Sequence, residues 1–446
     1  MVIDQLVKPS LDEKPVPADL ELPLSEPEEK RRIKFLTKEI LDRIGYGLSS
    51  QQFLNILFVQ SGASLFLVGM INGLKVMVSV IVSYILERYQ LSVKVNRVLM
   101  SVVGVFFGIS IFTLTIAIHR KSTALFVLSF VFATIIAVLY GSLYQDWFKE
   151  NLEMRKRGFF LSRISYYGLA ITGISMILGA ALADKFTGGK RLAFEILGQN
   201  LRLQGYVIVL VFAAMIFMFG ALLLLWISEK NAGKEPQKKH VVITPETWKE
   251  FASNKVLFVL FVSSAIISLV QTLATAYYGI FIYSNFSESA FGGFMNVAII
   301  FIIALLTSVI GPVITQFNVR AYGKFPMLVF GTMLIAIGPV TYWYNPNLLS
   351  ISMAMFLSTI GSAICGVSFG LLTLELVRED LKESYAQLSN VLTLIPYMIF
   401  IPIGAYIAFN WGMSILFLIL SITLVVTVVP LYMYVIIAYN ARKQKI

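Results

Sequence analysis

"SYILERYQLSVKVNRVLMSVVG" (residues 83–104) and "GPVITQFNVRAYGKFPMLVFG" (residues 311–331) follow one pattern. Each leaves an apolar run at a small residue (Ser83, Gly311) and crosses a polar turn to a basic residue (Arg97, Lys324). It then enters a second apolar run that carries a glycine (Gly104, Gly331). The lengths differ by one residue. A second pair, "GAALAD" (179–184) and "GAYIAF" (404–409), recurs near the ends of two further runs. The chain therefore reads as two copies of one unit.

Each unit is apolar enough to live in lipid. The chain is 57% hydrophobic and 14% charged with a mean hydropathy of +0.79, against about 25% charged for soluble domains. A span needs about 20 mostly apolar residues, because the hydrocarbon core is ~30 Å thick and a helix rises ~1.5 Å per residue. Twelve runs qualify, near residues 36–60, 64–87, 97–118, 123–147, 159–183, 204–227, 256–283, 289–317, 324–344, 348–376, 387–409 and 412–438. The hydrophilic stretch 228–255 divides them six and six. The expectation is an all-α membrane protein of 12 transmembrane helices in two pseudo-symmetric six-helix bundles, 34–227 and 256–438. A polar, Pro-rich tail (1–33), a central loop (228–255) and a short tail (439–446) flank them. No cleavable leader pattern opens the sequence, so the first span is expected to be its own insertion signal.

The formal charge of +11 lies in short loops between apolar runs, which argues against a nucleic-acid partner. Of the 36 Lys and Arg residues, 29 fall on the side that carries both termini and six on the other, with Lys75 between. By the positive-inside rule both termini are expected to be cytoplasmic, in a multi-pass protein of the cell membrane.

Internal duplication of six-helix units is a transporter signature, and from about residue 36 the chain resembles the major facilitator superfamily. Loops between the second and third helices of that family carry Gly-x-x-x-Asp followed by basic residues. Here Ser83 stands for the Gly and Glu87 for the Asp, with Arg88, Lys94 and Arg97 behind. "YQDWFKENLEMRKRGFFLSR" (144–163) is similar to the equivalent loop between helices four and five, with Asp146, Arg157 and Gly158. The resemblance implies alternating access and a gating or structural role for Glu87, Arg88, Arg97, Asp146, Arg157 and Gly158. Glu375, with Arg378 nearby, inherits that reading in the second half. Solvated charges that merely fix topology are the competing account.

Lys75 lies ten residues into the second span, ~15 Å deep. A lysine at that depth costs roughly 2.5–3.5 kcal/mol, so it is expected to face a bundle interior or aqueous cavity. Asn72, Lys75, Ser79 and Ser83 share one helix face. Matching polar positions are Gln51, Gln52 and Asn55 in the first span, Tyr140 in the fourth, Gln271, Thr275 and Tyr278 in the seventh, and Asn296 in the eighth. The resemblance places helices one, four, seven and ten around a central cavity, where these residues would bind a solute. Polar residues also glue spans together, and the small residues of "STIGSAICGVSFG" (358–370) read as packing. Lys75 keeps three readings: attracting an anion, titrating as a coupling group, or holding the bundle. No Asp or Glu sits at its depth; Asp42, at a helix end, is the other candidate for coupling.

One cysteine and two histidines leave little for metal ligation, and no nucleophile triad or phosphate-cradling loop occurs, so no cofactor, metal or enzyme activity is expected. The expected function is secondary active transport of a small, anionic organic solute through a central cavity. Its partners would be the lipid bilayer and a proton or other coupling ion, and the chain is expected to act as a monomer. A drug or cation antiporter of the same fold, and a transport-inactive receptor, are the alternatives.

Overall fold

A computed structural model describes residues 26–89, 96–151, 154–186, 192–196, 199–227, 245–288 and 291–443. The N-terminal unit contains α1 (Glu26–Leu48), α2 (Gln51–Gln60), α3 (Leu65–Tyr89), α4 (Arg97–His119), α5 (Thr123–Asn151), α6 (Met154–Lys185) and α7 (Gly205–Leu223). A small antiparallel hairpin, β1 (Leu192–Ile196) and β2 (Gln199–Leu203), joins the last two. After α8 (Pro245–Ser253), the second unit contains α9 (Lys255–Phe286), α10 (Gly293–Tyr322), α11 (Lys324–Tyr344), α12 (Leu348–Leu376), α13 (Lys382–Asn410), α14 (Met413–Thr423) and α15 (Val429–Lys443). A π-helical turn, Leu424–Val428, fuses α14 and α15 into one crossing.

Eleven helices among the described residues are long and apolar enough to span a bilayer, one fewer than the twelve expected. The difference is the first run. α1 ends at Leu48 and α2 starts afresh at Gln51, because "GYGLSS" (45–50) is rich in residues that favour turns over helix. Ser49 Oγ bonds back to the Gly45 carbonyl (2.8 Å), and Ser50 caps α2 by accepting from the Phe53 N–H. The expected tail and loop boundaries also move. Helix begins at Glu26, within the segment read as tail; α8 occupies part of the central stretch; α15 runs on to Lys443.

Large apolar side chains cover the outer surface, as lipid contact requires. Exposed aromatic residues mark both ends: Tyr344 and Trp411 at one, Tyr322 and Trp226 at the end that carries the termini. The repeat is visible in packing. A Cβ on Gly179 would come within 3.1 Å of Leu48 where α6 crosses α1, and one on Gly404 within 2.7 Å of Leu273 where α13 crosses α9. Matching alanines, Ala180 with Ala405 and Ala183 with Ala408, are buried in both.

Lys38, one of the 29 basic residues on the side of the termini, is 1% exposed. Its ammonium lies 2.7 Å from Asp42 one turn on and 3.3 Å from the centroid of the Tyr144 ring, with the Tyr140 ring at 5.0 Å. Phe35, Trp147 and Phe148 close the cluster. Asp42, the coupling candidate at a helix end, is thus a buried ion-pair partner. Breaking such a pair leaves an uncompensated buried charge, whereas replacing both partners by apolar groups is often neutral. Lys38→Ala is expected to destabilise the protein by about 3–5 kcal/mol. Thermal denaturation should show most of that loss recovered in Lys38→Met/Asp42→Leu.

Candidate functional site

The break at Ser49–Ser50 turns Gln51 inward, opposite the polar face of α3. Lys75 Nζ donates to Gln51 Oε1 at 2.5 Å. An ammonium can only donate, so it fixes the amide oxygen toward itself and the Gln51 NH2 away. That NH2 donates to Asn55 Oδ1 (3.1 Å) and Asn72 Oδ1 (3.0 Å), and the Asn72 NH2 in turn donates to Asn55 Oδ1 (3.1 Å). The network ends on the Ala276 carbonyl of α9, which accepts from Asn55 Nδ2 (3.1 Å). The Phe130 ring lies 6.0 Å from Lys75 Nζ. No described carboxylate forms an ion pair with it.

Gln52, the next residue, points elsewhere. Its Nε2 donates to the Thr275 carbonyl (3.1 Å), and its Oε1 accepts from the Gly279 N–H (3.1 Å). Those two backbone groups are the i and i+4 partners of one α-helical turn. The carboxamide therefore brackets that turn of α9 and ties the two units together.

Further contacts extend this seam at the end away from the termini. Tyr277 Oη donates to the Leu65 carbonyl (2.9 Å), and Gln60 Nε2 donates to Tyr283 Oη (2.8 Å). The Asp184 carboxylate, at the end of α6, accepts from the Phe294 N–H (3.0 Å) and the Met295 N–H (2.8 Å) at the start of α10. Gly292 precedes that helix at φ 109°, where a Cβ would sit 3.0 Å from Asp184 Oδ2. Glycine is required there for the carboxylate to approach.

On the termini side of this seam lies a cavity of about 280 Å³ between the units. Gln51, Asn72 and Lys75 line one wall; Ser268, Gln271, Thr272 and Thr275 of α9 line the other. The α9 wall is itself braced. Ser268 and Thr272 both bond Tyr397 Oη at 2.8 Å, and Gln271 Nε2 donates to Ser362 Oγ at 2.6 Å. Among the described lining residues Lys75 is the sole charged one.

Five of the ten predicted binding residues thus meet at the cavity: Gln51, Asn72, Lys75, Gln271 and Thr275. The other five are outside it. Gln52 and Asn55 hold α9; Tyr140 packs by Lys38; Tyr278 stacks on Tyr342 with centroids 4.3 Å apart; Asn296 Nδ2 donates to the Phe286 carbonyl. Tyr397 and Ser362 were missed in the sequence. Ser362 lies in the small-residue run read as packing, where Gly361 does press on the Gly331 carbonyl while its neighbour turns to α9.

The sequence profile of the Major Facilitator Superfamily matches residues 41–400. The chain belongs to this superfamily. Among solved structures its fold is similar to the nucleoside transporter NupG (12% identity, TM-score 0.67, covering 91% of this chain and 99% of that one). It is also similar to a bacterial homologue of the iron transporter ferroportin in an inward-facing state (15%, 0.67, 92% and 99%). A bacterial homologue of the human lysosomal transporter Spinster is a third (12%, 0.66, 92% and 97%). No curated protein matches in sequence. The chain is a transporter, not an enzyme.

For a superfamily member, the residues expected to gate lie at the termini end. The side chains of Glu87, Arg88, Asp146 and Arg157, and the surroundings of Gly158, lie outside the described residues. Arg97 Nη1 donates to the Leu225 carbonyl (3.3 Å), and Lys34 Nζ donates to that of Trp226 (2.5 Å), two cations on the C-terminal carbonyls that follow α7. Glu375 pairs with Lys324, the counterpart of Arg97 in the repeat; Arg378 is exposed. At the other end, Asp184→Asn removes charge but not shape and is expected to lower stability by about 1 kcal/mol. Asp184→Ala should cost about 0.5–2 kcal/mol, the larger loss of the two, because two N–H groups lose their acceptor. Melting temperatures of the purified variants give that order.

Proposed function

We propose that this transporter moves a small organic anion by alternating access and captures it at Lys75. The observation that carries this reading is an ammonium deep in the bundle whose described polar partner is a neutral amide oxygen. A lysine there needs a counter-charge, and the described lining of the cavity supplies none. α2 adds to the field: its ten-residue helix starts at the cavity wall, so its positive dipole end lies beside Lys75. A positive cavity also weighs against a cation antiporter.

The 29-to-six charge bias supports a cytoplasmic position for both termini. The seam then lies on the outer side and the cavity faces inward. Export and import both use such a state. The buried Lys38–Asp42 pair and Lys75 are the titratable groups through which a proton could couple.

Uptake into proteoliposomes tests the reading. Lys75→Ala should lower anion transport about 10- to 100-fold without lowering expression, and Lys75→Arg should keep more of it, since a hydrogen bond to a charged group is worth ~1.5–3 kcal/mol. Unchanged kinetics in Lys75→Ala would remove it from the site, and retained binding with no transport in the wild type would favour a receptor.

Gln52→Leu removes two hydrogen bonds between the units, at a net cost of ~1–3 kcal/mol. The balance between inward- and outward-facing states should move outward by about 5- to 150-fold. Spin labels at Leu67 and Phe409, both exposed, should then report a larger population of long distances in double electron–electron resonance.

A further inference from the structure

A second pocket adjoins the cavity, and the reading above leaves it unused. It measures about 140 Å³ and lies inside the second unit, between α9, α11, α12 and α15. Ser268 and Gln271 line both spaces, so they form the partition between them. Beyond that partition none of the described lining residues is charged. Ile267, Ile335, Phe369 and the ring of Tyr432 supply apolar and aromatic surface beside Ser264, Ser362 and Cys365, and Gly366 leaves the space open: a Cβ on Gly366 would meet nothing within 4 Å. Helix interiors disfavour glycine by about 1 kcal/mol relative to alanine, and this one stands where any side chain would project into the space.

From the charge on one wall and the uncharged, aromatic-lined recess behind the other, we propose that the substrate is an amphipathic anion. Its charged end sits at Lys75 and Gln51 on the first unit. Its apolar or aromatic tail passes Ser268 and Gln271 into the recess of the second. The inference rests on the anion reading and adds the tail. Each unit then recognises one end of the solute, and removing apolar surface from water supplies affinity that the charge alone does not. Phe369 and Tyr432 suit a flat ring, and the volume admits one ring and not a long chain.

Binding to the purified full chain in lipid nanodiscs, measured by calorimetry with butyrate and 4-phenylbutyrate, tests this. The wild type should bind 4-phenylbutyrate about tenfold or more tightly than butyrate. Gly366→Leu fills the recess without displacing a neighbour, and it should bring 4-phenylbutyrate down to the affinity of butyrate while leaving butyrate unchanged. Gly370→Leu, one turn on, also meets open space but does not line the recess, and should change neither. Equal binding of the two carboxylates by the wild type would overturn the proposal, as would a Gly366→Leu variant that alters both alike or neither, or a Gly370→Leu variant with the same effect. 4-Phenylbutanol and 4-phenylbutylamine separate the two readings. If they bind as tightly as the acid and lose that affinity in Gly366→Leu, the recess takes a tail but the solute is not an anion, and the amphipathic-anion proposal falls with the anion reading. If only the carboxylates bind, without regard to the ring, the anion reading stands and the tail is refuted.

Discussion

Polar groups inside a bilayer must find partners within the protein, and the Gln52 carboxamide finds both of its partners on the backbone of α9, across the two units. The first crossing is broken at Ser49–Ser50, and just past that break Gln52 reaches the Thr275 carbonyl and the Gly279 N–H of one turn of α9. Asn55 reinforces the join through the Ala276 carbonyl. The same break that presents Gln52 to α9 presents Gln51 to Lys75 one residue earlier. Seam and cavity are thus built from adjacent residues.

Two lysines show how burial separates structure from function. Lys38 has a carboxylate at 2.7 Å and an aromatic face at 3.3 Å, and its charge is fully answered within one cluster. Lys75 has a carboxamide oxygen and a distant ring. Lys38 is fully buried and Lys75 half-buried on a cavity wall, and only the second leaves room for a counter-ion. Residue type and depth do not distinguish them; the company of each side chain does.

Much of the architecture could be read from the order of residues. Apolar runs locate eleven crossings, and the repeats around Gly179 and Gly404 coincide with matching helix crossings. Lys75 with Asn72, and Gln271 with Thr275, were legible because one face of a helix collects polar residues that lipid would reject. What was not legible turns on about 100° of rotation or on a distant partner. Gln51 and Gln52 are the same residue type side by side, yet one meets the cavity and the other a neighbouring backbone. Lys38 looked like one more charge in "EPEEKRRIKFLTKEILDR" (26–43), because its answer comes from Tyr140 and Tyr144, a hundred residues away. Ser362 and Gly366 were masked by a run of small residues that packs on one side and opens on the other.

The divided first crossing has a consequence for biogenesis. α2 has ten residues and rises ~15 Å, half the thickness of the hydrocarbon. α1 supplies the remaining length but carries Lys38, Asp42 and Arg43 within its course. Neither piece alone has the continuous apolar length of a span, which counts against the expectation that the first crossing is its own insertion signal. α3, whose apolar stretch Leu65–Leu86 is continuous, is the first segment with that length, so the first crossing is expected to enter the bilayer together with it.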